Sequence, residues 1–251
     1  HKGRYRAMWD SMVGGDAARC DDNTPATADD KGDTMIPTTI APHGIIGASG
    51  LPRNASLDID AYFPVDPERR WGYFHAPEEN GETIVEDLHW KIHGQREVNG
   101  KNAWLLGDEK KLTIMISKDE DGIQHHGDLV PGEEDEVCTP PLTTISRNFV
   151  FRQPYSSAYI MAQGEKKTLG LFTHQMTGYE TLKLPAGIFH DCLRTDTYFQ
   201  RDNGPCFTAV HHYASGVGLV RYSFRQIDPV ANVVVVVGTL ELSSISSEGA
   251  A

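Results

Sequence analysis

LPAGIFHDCLR, from Leu184 to Arg194, and HHYASGVGLVRY, from His211 to Tyr222, carry the clearest local structural signals in this chain. Pro185-Ala186-Gly187 is typical of a turn, and the alternating apolar residues after it predict a strand. Ser215-Gly216, followed closely by Gly218, predicts a second turn that leads into another strand. Neither segment contains an evident nucleophile, a nucleotide-binding loop or a compact set of metal ligands. Both therefore indicate a β architecture rather than a reaction.

Short strand patterns separated by turn residues recur from Asp58 to the end of the chain. The pairs Asn80-Gly81 and Asn99-Gly100 are of the type preferred in tight hairpins. This spacing predicts an all-β protein, an antiparallel sandwich or an open barrel, over residues 58–251. The acidic linker Gly132–Glu136 allows a division of that domain into halves, 58–131 and 138–251.

Residues 1–57 differ from the rest, because Asp-rich stretches alternate with prolines and leave little apolar surface to bury. They predict an extended N-terminal arm. The segment Met35–Ile40 is apolar enough to add a strand to the sheet of a partner protein or of another copy of the chain. The Val-rich stretch Val233–Val237 is a second candidate for such pairing at a sheet edge.

The 251 residues carry a formal charge of −12, which argues against nucleic acid or an anionic membrane surface as a partner because both would repel the protein. No stretch approaches the ~20 apolar residues of a membrane-spanning helix, so no transmembrane segment is predicted.

Cysteine occurs four times, at Cys20, Cys138, Cys192 and Cys206, without the close spacing of a zinc or haem motif. In a secreted protein four cysteines allow two disulfides in three connectivities. The favoured pairing is Cys192–Cys206, clamping two strands around the turn Arg201–Gly204, with Cys20–Cys138 fixing the arm. Four buried thiols are the alternative.

Histidine occurs 11 times, which makes a metal site a candidate. His89 and His93 point to one face of a predicted strand, but ~13 Å apart, too far to share one ion. The pairs His125-His126 and His211-His212 split between opposite faces, and one ring from each pair could meet across the sheet. His1 could bind copper through its amine and ring if it is a true terminus. Solvated or hydrogen-bonded histidines are the preferred interpretation, and no cofactor is predicted.

Other chemistry-bearing patterns are incomplete. Asp119–Gly122 and Asp29–Asp33 lack the distal glutamate of a calcium-binding loop and suit turn tips. Gly216-Val217-Gly218 lacks the third glycine of a dinucleotide-binding loop, and no nucleophile elbow occurs. The sequence thus predicts no catalytic residue, although it does not exclude an enzyme.

Four segments together resemble a group of secreted or lipid-anchored bacterial β-proteins. They are YFPVDPERRWGYF (62–74), REVNGKNAWLL (96–106), LPAGIFHDCLR (184–194) and HHYASGVGLVRY (211–222). The resemblance spans roughly residues 60–224. It implies an extracytoplasmic β fold, in the periplasm, on the cell surface or secreted, and it implies no catalytic role. It also implies structural roles for individual residues: core anchors at Trp71 and Phe189, and turn residues at Gly187, Gly216 and Gly218.

Two functions follow as hypotheses. The leading one is a non-enzymatic structural or accessory subunit of a larger assembly, which interacts through its N-terminal arm and its sheet edges. The alternative is a secreted β-barrel that binds an apolar or metal ligand, an enzyme included. In the alternative, seven aromatic residues would line a cavity: Trp71, Tyr73, Trp90, Trp104, Phe149, Phe151 and Phe172.

Overall fold

The computed structural model describes residues 55–79, 82–83, 85–202, 204, 206–228 and 233–247 of the chain. These ranges hold one short helix, α1 (Ile59–Tyr62), and fifteen strands. The strands are β1 (Ala55–Ser56), β2 (Arg69–Glu79), β3 (Glu82–Thr83), β4 (Glu86–Val98), β5 (Lys101–Asp108), β6 (Leu112–Lys118), β7 (Gly122–Leu129), β8 (Glu136–Ser146), β9 (Asn148–Phe149), β10 (Tyr155–Gln163), β11 (Lys166–Leu184), β12 (Gly187–Arg201), β13 (Cys206–Ala214), β14 (Gly218–Asp228) and β15 (Val233–Ser247). No helix within the described ranges is long and apolar enough to cross a membrane.

Twelve strands form one closed antiparallel barrel, so the prediction of a sandwich or an open barrel is wrong. Each long strand pairs with the next long strand along the chain, and β15 pairs with β14 on one side and with β2 on the other. In the closing pair, Leu240 lies opposite His75 and Leu242 opposite Tyr73. Closure satisfies the N–H and C=O groups that an open sheet exposes at its edges.

The Val-rich stretch Val233–Val237 is therefore part of the closed barrel, where the pairing of β15 with β2 begins. Its residues pair with β14, and Val236 and Val237 pair in addition with Glu79 and Glu78 of β2. Among the twelve described barrel strands none is left at a sheet edge.

Alternation along the strands places every second side chain in the barrel interior. On β2 these residues are Trp71, Tyr73 and His75, and on the neighbouring β4 they include Leu88 and Trp90. Trp71 lies directly opposite Trp90, and Tyr73 opposite Leu88, so the interior faces of the two strands are in register. The interior is consequently rich in aromatic side chains on this side.

One end of the barrel is covered by residues 55–68, the segment that precedes β2 and that we call the cap. The backbone N–H of Leu57 donates to the carbonyl of Arg147 at 2.8 Å, which extends the small β1–β9 pairing. The short helix α1 follows, with the side chain of Asp58 accepting hydrogen bonds at its N-terminus. The N–H of Gly216 donates to the carbonyl of Ala61 at 2.6 Å, and Ile59 of α1 is fully buried. The cap is thus fixed to strands on different sides of the barrel.

The predicted Cys192–Cys206 disulfide is also wrong. In the β12–β13 pairing Cys206 lies opposite Gln200, eight residues along β12 from Cys192. Eight residues of strand span about 26 Å, whereas a disulfide needs Cα atoms within about 7 Å of each other. Cys138, Cys192 and Cys206 are buried thiols. Cys20, the predicted partner of Cys138, lies outside the described residues.

Candidate ligand cavity

A cavity of about 270 Å³ lies inside the barrel. Side chains from eleven of the twelve barrel strands line it, together with Phe63 and Pro64 of the cap. Barrels of about eight strands are just filled by their own side chains, and a larger strand number widens the interior. A twelve-stranded barrel therefore leaves a space that its lining residues do not fill.

The wall nearest the cap is aromatic, and its polar atoms are already bonded to the backbone. The indole Nε1–H of Trp71 donates to the carbonyl of Val217 at 2.9 Å, and the Tyr73 hydroxyl donates to that of Leu219 at 2.8 Å. The rings of Tyr73 and Trp90 meet edge to face, with centroids 5.3 Å apart. Because these donors are used in the wall, the rings present apolar surface to the cavity.

Four of the seven aromatic residues suggested from the sequence line this cavity: Trp71, Tyr73, Trp90 and Trp104. The other three do not. Phe149 and Phe151 pack against each other at 4.7 Å as part of the core cluster that includes the cap residues Leu57 and Ile59. Phe172 packs against Phe199 in a separate buried cluster.

A β-bulge on β7 brings His125 and Asp128 to the same face. Residues three apart on a regular strand point to opposite faces, but the register with β8 shifts between His125 and Gly127. Gly127 adopts φ +137°, and a Cβ there would lie 1.9 Å from the carbonyl oxygen of Glu136. As a result both side chains line the cavity, and Nε2 of His125 lies 2.9 Å from Oδ1 of Asp128.

This pairing sets the charge on His125. Burial alone disfavours the imidazolium, but the Asp128 carboxylate and the Gly127 carbonyl outweigh it and hold the pKa of His125 above its usual value. The pair thus favours the charged form of the His125 imidazole.

Glu136 and Arg201 form the second charged pair of the cavity. Nη2 of Arg201 lies 3.6 Å from Oε2 of Glu136, whose side chain is only 3% exposed. Burial raises the pKa of Glu136 to about 7, although the Arg201 guanidinium acts in the opposite direction. Oε1 of Glu136 is buried without a hydrogen-bond partner among the described residues.

Two further histidines on the cavity wall are neutral. Burial, reinforced by the Lys111 charge, lowers the pKa of His75 to about 4. Burial, reinforced by the charges of His212 and His125, lowers the pKa of His211 to about 3. The ring of His211 packs against that of Tyr222 at 4.7 Å. Both histidines can therefore offer only neutral hydrogen-bonding groups to the interior.

In each pair of adjacent histidines, the two side chains lie on opposite faces of the strand, as alternation predicts. His125 and His211 line the cavity, and the charge of His125 contributes to the lowered pKa of His211. His126 instead bonds the Ser117 hydroxyl at 2.8 Å, and His212 bonds Oε2 of Glu180 at 3.0 Å, both away from the cavity lining.

The remaining histidine candidates lie apart from the cavity. His89 is exposed, and Nε2 of His93 lies 2.7 Å from the Gly107 carbonyl. Within the described ranges, no group of three or more His, Cys, Asp or Glu side chains could hold a metal ion. His1 lies outside these ranges.

The residues given structural roles by the resemblance lie at or near the capped end. Trp71 is 5% exposed, and Phe189 is partly buried against the same core cluster. Gly187 begins β12 with φ +138°. Gly216 has φ +75° and contacts the cap, and Gly218, with φ +100°, lines the cavity.

Sequence analysis missed Glu136 and Arg201 as site residues. Glu136 was assigned to the acidic linker and Arg201 to a turn, but each is a terminal residue of a strand. A usable signal was present, because Glu136 is two residues before Cys138 and therefore shares its face of the strand.

The sequence matches no known family model and no curated protein. Three solved bacterial structures are similar to this chain. A protein named as a lipoprotein from Parabacteroides distasonis is 12% identical, with a TM-score of 0.38, over 74% of this chain and 98% of that one. A protein named as exported, with a YmcC-like fold, from Bacteroides fragilis is 12% identical, with a TM-score of 0.33, over 74% and 99%. The hypothetical lipoprotein YmcC from Escherichia coli is 10% identical, with a TM-score of 0.31, over 75% and 91%. At these values the likeness assigns neither an activity nor a ligand to this chain.

Proposed function

We propose that this protein is a non-enzymatic, extracytoplasmic binding protein that holds a small, largely apolar molecule inside its barrel. The observation that carries the proposal is the cavity of about 270 Å³ with aromatic and aliphatic walls. Protein interiors are normally filled to crystal-like density, and binding sites are typically apolar pockets with a few oriented polar groups. This interior contains an unfilled apolar space, and a few polar side chains line it.

The polar groups of the cavity suit binding better than catalysis. His125 is bonded to Asp128, and Glu136 lies 3.6 Å from Arg201. These four side chains therefore interact with each other in pairs. Burial raises the pKa of the Cys138 thiol to about 12, which keeps this lining residue protonated and unreactive at neutral pH. Cys138 is thus not an activated nucleophile.

The extracytoplasmic location belongs to the proposal because the resemblance of the four sequence motifs implies it. The names of the three similar bacterial proteins, lipoprotein or exported protein, state the same kind of location for those proteins.

The accessory-subunit role is a weaker candidate. This role requires a strand at a sheet edge that can pair with another protein. None of the described barrel strands is at an edge, since β15 pairs with both β14 and β2. Contacts made by the N-terminal arm stay a prediction, because the arm lies almost entirely outside the described residues.

A fluorescence titration tests the proposed binding. The neutral reporter N-phenyl-1-naphthylamine should bind in the cavity and quench tryptophan emission by energy transfer, because Trp71, Trp90 and Trp104 line the site. Ala209 also lines the cavity, so Ala209→Phe should occupy part of the space and weaken binding at least about tenfold, equivalent to about 1.4 kcal/mol.

Ala158→Phe is the matched control, since Ala158 is exposed on β10. It should bind the reporter like the unaltered protein. Absence of saturable binding to the unaltered protein, or equal affinities of the two folded variants, would refute the cavity as a binding site.

A further inference from the structure

Glu136 lines the cavity, and one of its carboxylate oxygens is unpaired. Its side chain is 3% exposed, and only Oε2 lies near a cation, 3.6 Å from Nη2 of Arg201. Oε1 is buried with no hydrogen-bond partner among the described residues. Buried polar atoms are nearly always paired in native proteins, so this oxygen can accept a hydrogen bond from a molecule held in the cavity.

Acidic and basic side chains are equal in number in the cavity lining. Its charged lining residues comprise three acidic and three basic side chains: Asp108, Asp128, Glu136, Lys111, His125 and Arg201. His75 and His211 add no charge, because burial keeps them neutral. A ligand with a net charge would lack a counter-charge in this buried space, which disfavours both carboxylates and ammonium groups.

Aromatic residues line the cavity near the cap and away from it, but the Glu136–Arg201 pair lies only at the end away from the cap. Trp71 and Trp90 pair near the start of β2, close to the cap. Glu136 and Arg201 are the first residue of β8 and the last of β12, at the end away from the cap. An elongated ligand would place its apolar body near the cap and its polar group near Glu136.

We infer that the ligand is an uncharged molecule with an apolar body and a terminal hydroxyl group, whose O–H donates to Oε1 of Glu136. The inference rests on the proposed binding function and specifies its ligand class. Alcohols and phenols satisfy the acceptor without adding charge, whereas pure hydrocarbons leave it unpaired.

A matched set of naphthalenes tests the ligand class at pH 8, where Glu136 is largely ionised and 2-naphthol keeps its proton. 2-Naphthol should bind about tenfold or more tightly than 2-methoxynaphthalene, since a hydrogen bond to a charged group is worth that much and the ether cannot donate. Naphthalene should bind about as well as the ether, and 2-naphthoate should bind most weakly.

Two variants test whether the preference for naphthol depends on Glu136. Glu136→Met removes the acceptor at similar length, so the preference for naphthol over the ether should fall to about one while naphthalene still binds. Glu97→Met is the control, because Glu97 is exposed on β4, and it should retain the preference. The comparison of the four ligands on the unaltered protein remains decisive even if Glu136→Met fails to fold.

The outcomes separate the two proposals. Equal binding of all four ligands, tightest binding of 2-naphthoate, or a naphthol preference that persists in Glu136→Met would overturn the ligand class and leave the binding function standing. Failure of every naphthalene to bind the unaltered protein would overturn both.

Discussion

At position 136 a carboxyl group lies inside a barrel, with one oxygen near a guanidinium and the other unpaired. Burial disfavours its ionised form, and this is why its pKa rises to about 7 from a usual value near 4.5. An acid whose pKa is higher in the folded state binds its proton more tightly there than in the unfolded chain. Its contribution to stability is therefore complete below about pH 4.5 and is lost as the pH rises towards and through 7.

Glu136→Gln should remove this dependence, because the amide has nearly the same shape and does not ionise. We expect the free energy of unfolding of the variant, relative to the unaltered protein, to increase from pH 4.5 to pH 8 by up to about 3 kcal/mol. Urea unfolding at both pH values measures the change. Glu97→Gln, at an exposed position, should show a constant difference, and a constant difference for Glu136→Gln as well would contradict the assigned burial of the carboxyl group.

Among the strands, the bulge of β7 is the element that positions the charged groups of the cavity. It turns both His125 and Asp128 inward, and it depends on Gly127, where φ is +137° and the carbonyl of Glu136 occupies the place of a side chain. The same glycine thus links the His125–Asp128 pair to the strand that begins with Glu136.

Gly127→Ala should destabilise the protein by about 3 kcal/mol or more, because a methyl group would meet backbone atoms that cannot move without disturbing the β7–β8 register. Gly94→Ala is a matched control, since Gly94 lies at a register shift of β4 with φ +155°, but nothing lies within 4 Å of its absent side chain. We expect a loss of only about 1 kcal/mol there. Equal losses in thermal or urea unfolding would show that the close contact at Gly127 is not the determining feature.

The positions of strands in the sequence follow from local turn signals. Which residues of two long strands lie opposite each other does not. The turn residues at Arg201–Gly204 correctly separate β12 from β13. The disulfide placed on that hairpin failed because Cys192 lies near the start of β12, next to Leu193, whereas Cys206 begins β13. Spacing in sequence gives no direct measure of where two residues fall along a pair of long strands.

At the scale of the whole molecule, the closure of the barrel was the main unpredictable feature. Most barrel strands pair with their sequence neighbours, so hairpin signals predict an antiparallel succession. The β2–β15 pairing joins the first and last barrel strands in the sequence, and no local pattern signals it. The valines of β15 therefore suggested a strand at a sheet edge. The aromatic cavity wall on β2, β4 and β5 could be suggested from alternation, but the pairing of Glu136 with Arg201 depends on closure.

The claim that depends on the whole molecule is that the closed barrel holds an apolar molecule within it. Diffraction from crystals of the protein soaked with 2-bromonaphthalene tests it directly, because the anomalous signal of bromine locates the ligand. We expect one strong bromine peak inside the barrel, bordered by residues that line the cavity, such as Trp90, Trp104 and Ala209. Bromine peaks confined to the outer surface, or an interior occupied only by the protein's own side chains, would contradict the assignment of this cavity as a binding site.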